Sequence, residues 1–329
     1  MLPLVTEKHI ALTHLIVCSF HINEGGVVHL NDYPPETALF DVMWSETEVL
    51  RAAGVRIMGM VGGAAPGSFD STTLDSPDEE TFAHYYGQLR DVLRTYALQG
   101  LDIDVEQSMS LGGIIRLIKS LRADFGADFE ITLAPVATAL RRGGAGANLS
   151  GFDYAALERA VGGDIAFYNA QFYNGFGSMA STSAYDASVT KPGSGVFAPE
   201  KVLAGQVTTP KAGSQWTPFP QFNTTVHSLM RKYPTVRTVA DDGSEAWAGG
   251  FGGVMGWEYF NGEPGGTDAP WEWAQVMTAI LRPEESMLPA LKVTKETAGQ
   301  LDAAWRRSVQ GGSGLKLQPD VDYWGMVNA

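Results

Sequence analysis

The chain of 329 residues has a single cysteine, Cys18. One thiol permits no internal disulfide, so the fold must rest on a packed core, and the redox compartment cannot be read from thiol usage. Cys18 lies in the apolar run Leu15-Ile16-Val17-Cys18-Ser19-Phe20, where a buried structural thiol is expected rather than a nucleophile. Basic residues are scarce as well: 23 Lys and Arg against 37 Asp and Glu leave a formal net charge of −14. That balance argues against nucleic acid and anionic membrane surfaces as partners. No apolar run has the length that spans a bilayer. The opening residues, Met1-Leu2-Pro3-Leu4-Val5-Thr6-Glu7-Lys8, lack a basic n-region and a sustained apolar stretch, so they do not read as a signal peptide. Internal repeats and low-complexity linkers are missing too, and nothing in the sequence speaks to oligomeric state.

What the chain does hold is the stretch Gly100-Leu101-Asp102-Ile103-Asp104-Val105-Glu106. In a β-strand, successive side chains alternate between faces, so Asp102, Asp104 and Glu106 share one face and the aliphatic residues the other. Alternate acids then stand roughly 7 Å apart, close enough to perturb one another's protonation. A solvated acidic strand is the plainer reading. Helical patterns on both sides instead imply a parallel sheet, whose faces are both covered. Three acids on a covered face are costly, which marks them as functional candidates. A carboxylate metal cage stays open as a minor alternative, with no histidine nearby.

Short apolar strand runs alternate with helical patterns along most of the chain. Strands are expected at 12–20, 55–61, 100–106, 129–136, 164–173, 201–209 and 252–259, and helices at 36–53, after 76, at 111–125 and after 271. Ser76-Pro77-Asp78-Glu79 has the form of a capping box with proline at the first helical position. Phe82, Tyr85, Tyr86, Leu89, Leu93 and Tyr96 follow at helical spacing and read as core. The stretch 211–250, with Asp241-Asp242-Gly243-Ser244, reads as one helix with a surface insertion. Residues 284–329 form a tail in which Leu301, Ala304, Trp305 and Val309 suggest a docked helix, giving a catalytic barrel over 1–283 and an appended tail. Seven strands each followed by a helix match a TIM-type (β/α)₈ barrel that lacks one strand. Two sequons, Asn148-Leu149-Ser150 and Asn223-Thr224-Thr225, are compatible with secretion.

In such barrels chemistry sits at the C-terminal strand ends. Those ends supply Glu106, Asp104 and Asp102, the glycine-rich Gly62-Gly63, the trio Gln171, Tyr173 and Asn174, and the aromatics Trp257 and Tyr259. The acid strand resembles the DxxDxDxE signature of the family-eighteen glycoside hydrolases, without the first acid of the long form. Asn169-Ala170-Gln171-Phe172-Tyr173-Asn174 resembles that family's sixth-strand motif. The Gly62-Gly63 loop resembles its Ser-x-Gly-Gly motif, with Met60 for serine, and Val254-Met255-Gly256-Trp257 its eighth-strand tryptophan motif. The four occur in the family's order. Three segments are particularly similar to filamentous-fungal endo-β-N-acetylglucosaminidases: residues 12–21, 62–69 and 256–261.

The resemblance implies a retaining, substrate-assisted hydrolysis in which the substrate's 2-acetamido oxygen attacks the anomeric carbon. Glu106 would be the acid/base, its pKa raised by Asp104 and partial burial. Asp104 would orient the acetamido group and share a proton with Asp102. Tyr173 and Gln171 would contact the same group, Trp257 would floor the sugar ring, and Gly62, Gly63, Asn174 and Tyr259 would complete the binding surface. Trp257 and Tyr173 as plain core aromatics are the alternative. The expected substrate is the GlcNAc-β-1,4-GlcNAc core of N-linked, high-mannose-type glycans, with no metal and no cofactor; chitin polymers and a non-catalytic glycan-binding role are the alternatives. The resemblance also implies an extracellular location. The family's first strand has no counterpart here, so the strands at 12–20 and 252–259 are expected to leave unpaired apolar edges, with poor solubility or stability as the consequence.

Overall fold

The computed structural model describes residues 1–141, 146–189, 196–239 and 245–283. The strands are β1 (His14–Ile22), β2 (Val28–Leu30), β3 (Arg56–Gly63), β4 (Gly100–Val105), β5 (Glu130–Leu133), β6 (Phe167–Gln171), β7 (Val202–Val207), β8 (Thr235–Val239), β9 (Glu245–Gly249) and β10 (Val254–Trp257). The helices are α1 (Pro3–Thr6), α2 (Asp41–Ala52), α3 (Glu79–Thr95), α4 (Leu111–Phe125), α5 (Tyr154–Val161), α6 (Ser183–Ser188), α7 (Phe219–Lys232) and α8 (Glu272–Leu281). Each of the seven long strand runs read from the sequence overlaps an observed strand; five contain theirs, while β1 and β3 run two residues past the expected ends.

Local chemistry sets the helix ends. Ser110 caps α4 by accepting the Gly113 N–H at 2.9 Å, and Gly126, at φ +77°, ends it in a conformation that favours glycine. The cap of α3 is Asp78, whose carboxylate accepts the Thr81 N–H at 2.8 Å. The expected box at Ser76 is therefore displaced by two residues: aspartate caps as well as serine does, and Ser76 instead accepts the Asp78 N–H. Phe82, Tyr86, Leu89 and Leu93 form the buried face of α3, each worth about 1.5–3 kcal/mol when fully withdrawn from water.

The main sheet runs β10-β7-β6-β5-β4-β3-β1-β2. Seven of these strands are parallel and curl in barrel order, with helices outside. The eighth, β2, pairs antiparallel with the end of β1 only, through Phe20–Leu30, His21–His29 and Ile22–Val28. The insertion expected within 211–250 follows α7 as the separate antiparallel ribbon β8–β9. The strands β2, β8 and β9 and the short helices α5 and α6 had no clear periodic signal. Among the described residues no helix is long and apolar enough to cross a membrane. The tail helix expected beyond residue 283, the run 241–244 and part of the Gly/Ala/Arg loop lie outside the described residues.

No ladder joins β10 to β1, so the sheet has a seam where the sequence placed its two unpaired edges. The seam is not bare. The N-terminal stretch lies across it: Leu2, Leu4 and Val5 of this stretch are buried, and Leu4 lines the lumen. The terminal ammonium pairs with Glu46 of α2, while Ala11 N–H donates to Thr278 Oγ1 at 2.9 Å and Gln275 Nε2 to Lys8 O at 2.9 Å, both on α8. A polar-free run of five residues around Pro3 carries too little periodicity to have marked this role in the sequence.

Candidate active site

Every residue of β4 is buried. Parallel register sets Met60 of β3 beside Asp102, Gly62 beside Asp104 and Thr132 of β5 on the other side of Asp102. Thr132 Oγ1 donates to Asp102 at 2.6 Å. Burial pushes the Asp102 carboxyl up to about 6, with the Thr132 hydrogen bond working in the opposite direction. Asp104 accepts from Gln171 Nε2 at 3.2 Å, and the same nitrogen reaches Glu106 Oε1 at 3.2 Å and Ala134 O at 2.9 Å. Burial, then the neighbouring Glu106 and Asp102 charges, then a hydrogen bond to Glu106 hold the Asp104 pKa well above the carboxylate range.

Sequence reasoning put the shared proton between Asp102 and Asp104. Asp102 is engaged by Thr132 and Asp104 by Gln171, and the charges of both Glu106 and Asp102 bear on Asp104, that of Glu106 the more strongly. The strand ends at Val105, so the Glu106 side chain is released from the fixed spacing that keeps same-face acids apart.

The neighbouring strand ends close around these acids. Gly62 and Gly63 have φ of +104° and +91°, and a Cβ on Gly62 would come within 2.2 Å of Asp104 O. Only glycine allows β3 and β4 to approach so closely there. Tyr173 is buried. Burial and then the Asp104, Glu106 and Asp102 charges raise its pKa far above the ordinary phenol, so it remains a hydrogen-bond donor. A cavity of about 250 Å³ runs from Asp102 and Asp104 past Gln171 and Tyr173 to Trp257 and Tyr259. Its far wall is the apolar seam, with Leu4, Leu15, Ile16, Val254, Met255 and Trp273.

Asn174 is not brought to the acids. It is exposed, at φ +52°, and its Oδ1 accepts the Ser214 N–H at 2.9 Å, which fastens the loop after β7 to the loop after β6. The Asn148 sequon is similarly engaged, with Nδ2 donating to Phe152 O at 2.7 Å and Ser150 buried, while Asn223 is exposed on α7.

Four residues escaped the sequence reading. Thr132 and Asn169 line the buried polar floor, and the same period of two that groups Gln171 with Tyr173 includes Asn169. Cys18 and Glu258 also line the cavity; the Cys18 thiol is pushed up to about 12 by burial and then by Glu258. These two come from strands far apart in sequence, so no spacing rule links them. Among the described residues no three His, Cys, Asp or Glu side chains converge to hold a metal ion.

With the geometry in hand, the chain can be set beside known proteins. No family model matches the sequence. A fungal endo-β-N-acetylglucosaminidase from glycosyl hydrolase family 18 superposes with a TM-score of 0.78 at 59% identity, covering 87% of this chain and 93% of that one. Chitinase ChiC from Aspergillus fumigatus superposes at 0.71 with 43% identity, covering 84% and 91%. Among curated sequences, chitinase 1 of Rhizopus niveus is 26% identical over 254 residues, 71% of this chain and 48% of that protein. The chain spans about half or less of the length of the curated relatives it matches. The endo-β-N-acetylglucosaminidase match is closer than that to the chitinases, and the family implies a GlcNAc-containing carbohydrate as substrate. Sharing more than half its residues with a family member across nearly the whole of that member's length, the chain belongs to glycosyl hydrolase family 18.

Proposed function

We propose that this chain is an endo-β-N-acetylglucosaminidase that hydrolyses the GlcNAc-β-1,4-GlcNAc core of N-linked, high-mannose-type glycans, with retention, through an oxazolinium ion formed by the substrate's own acetamido group. The observation that carries this reading is that Asp104 and Glu106 stand together at the end of β4, both reached by the Gln171 Nε2 donor at 3.2 Å. A retaining enzyme with a protein nucleophile sets its two carboxyls about 5–5.5 Å apart across the anomeric carbon. Two acids from one strand end, held by one amide, approach the sugar from the same side, which supports an attacking oxygen supplied by the substrate.

In that mechanism Glu106, at the mouth, protonates the leaving oxygen and later takes a proton from water. Asp104 is held protonated at rest and faces the acetamido N–H. Once Glu106 has given its proton to the leaving oxygen, the Asp104 proton passes to the neighbouring Glu106 carboxylate, leaving Asp104 ionised against the positive oxazolinium ring, and returns to Asp104 as water opens that ring. Asp102, protonated below about pH 6, keeps a second negative charge away. Tyr173, locked in its protonated form, donates to the acetamido oxygen, and Trp257 carries the ring.

Hydrolysis of chitin is the second reading, favoured by the 43% identity to ChiC. Mass spectrometry after incubation with a high-mannose glycoprotein and, separately, with chitin oligomers separates the two. A released glycan ending in one GlcNAc, with one GlcNAc left on asparagine, supports the proposal. Cleavage of chitin oligomers alone overturns it. An extracellular location is part of the same proposal, since its substrates are carried by secreted and surface proteins.

A further inference from the structure

Glu258 is the one acid of the cavity wall that the mechanism leaves unused. It stands on the seam side, immediately after Trp257, at the end of β10. Its backbone is held firmly: Thr208 N–H donates to Trp257 O at 2.7 Å, and Thr208 Oγ1 to Glu258 O at 2.6 Å. Its side chain lines the same cavity as Asp102, Asp104 and Tyr173. Cys18 of β1 lines the cavity with it, and Glu258, following β10 rather than β4, belongs to the seam wall and not to the acid strand.

Comparison with other half-buried carboxylates isolates its peculiarity. Glu130 is met by His14 and Arg56, Glu158 by Lys201 and Tyr168, and Asp186 by Lys232, Tyr233 and Thr182. Glu258 has no such partner among the described residues, and desolvation alone raises its pKa. Its oxygens are not among the fully buried unpartnered atoms, so solvent reaches them in the free site, and a ligand that excludes that solvent must supply a donor in its place.

We infer that Glu258 is a substrate-recognition residue whose carboxylate accepts a hydroxyl hydrogen from the sugar ring seated on Trp257. The inference rests on the glycosidase reading and extends it to specificity. Trp257 offers a sequence-blind apolar face, whereas a site built to bond a hydroxyl rejects rings that lack it. The two adjacent residues thus divide the work, one supplying area and the other selecting the hydroxyl pattern.

The test measures the inhibition constant of GlcNAc-thiazoline, a single-ring mimic of the oxazolinium ion, on the wild type, Glu258→Gln and Glu258→Ala, together with kcat, KM and thermal unfolding. The expected result is a rise of about 10- to 100-fold for alanine, the range for losing a hydrogen bond to a charged group. Glutamine, similar in volume and still an acceptor, gives a smaller rise and guards against a folding defect in the alanine variant. KM rises in parallel, while the pH profile of kcat is unchanged. An unaltered inhibition constant in a folded Glu258→Ala protein overturns the inference alone. A displaced pH profile with unaltered inhibition overturns it in favour of proton transfer. A wild type that does not bind the thiazoline removes the glycosidase reading, and this inference with it.

Discussion

The two sides of this barrel are built differently. From β3 to β7 every strand has a parallel neighbour on each side, in registers running from Met60–Asp102 to Gln171–Gly205. This arc holds Asp102, Asp104 and Gln171, all buried and all engaged. Across the lumen, β1 and β10 do not pair. The seam between them is covered by side chains of the N-terminal stretch, and it carries Trp257, Glu258 and Tyr259. In the proposed mechanism, the groups that hold a proton at a fixed place are those where ladders fix the backbone, and the groups proposed to meet a sugar sit beside the gap.

The sharpest way to break that division is to neutralise the mouth of the arc. Glu106→Gln is expected to cut turnover by about 10²- to 10⁴-fold, the usual contribution of a general acid/base, with unfolding temperature and thiazoline binding retained. An active Glu106→Gln enzyme removes the proposed mechanism.

Asp104→Asn tests the next residue inward. It keeps shape but cannot ionise to compensate the oxazolinium charge, so hydrolysis of the glycan is lost. A pre-formed sugar oxazoline needs no such step, and its transfer to an acceptor sugar should survive. Loss of both reactions in a folded protein would separate Asp104 from the acetamido group.

Stability probes compare the two sides directly. Leu133 on β5 and Leu4 on α1 are both buried, at 0% and 3% exposure. Leucine-to-alanine changes in cores cost about 2–5 kcal/mol, depending on how far the site collapses. Leu133→Ala, enclosed by paired strands, belongs near the upper end. Leu4→Ala belongs near the lower end, because a covering segment can resettle over the gap. Denaturant unfolding measures both, and a larger loss at Leu4 would reverse the contrast drawn here.

The smallest effect concerns pH. The folded-state pKa of Asp102 is raised from 3.8 to about 6, so between those values the folded chain binds more protons than the unfolded one. Stability therefore falls as pH rises through this window and levels off above it. Asp102→Asn removes that share, and its melting temperature should decline less between pH 4 and 6 than the wild type's. Equal slopes would show that Asp102 ionises freely in the fold.

Much of the arc was legible in the sequence. Alternating acids and aliphatics over 100–106 define a strand with one polar face whatever surrounds it, and Ser110 with Gly126 mark both ends of α4. The run Asn169–Asn174 likewise placed Gln171 and Tyr173 together at one strand end. The seam was legible only as an absence: seven strand runs where a closed barrel has eight. Its cover is the N-terminal stretch, whose helix α1 is four residues long, too short for periodicity to register, and which is held through Met1 to α2 and through Lys8 and Ala11 to α8, 267 positions away.

Sequence by itself determined the strand order, the single acidic face and the family signature, because these depend on local alternation and on residues a few positions apart. Tertiary structure alone decided which acids meet. Asp104 and Glu106 share the Gln171 amide because β4 ends between them and β6 lies two strands away in the curl. It also engaged Asn174 in fastening a loop and brought Glu258 and Cys18 to the same cavity. Those outcomes depend on where separate strands terminate in space, a quantity that no spacing along one chain contains.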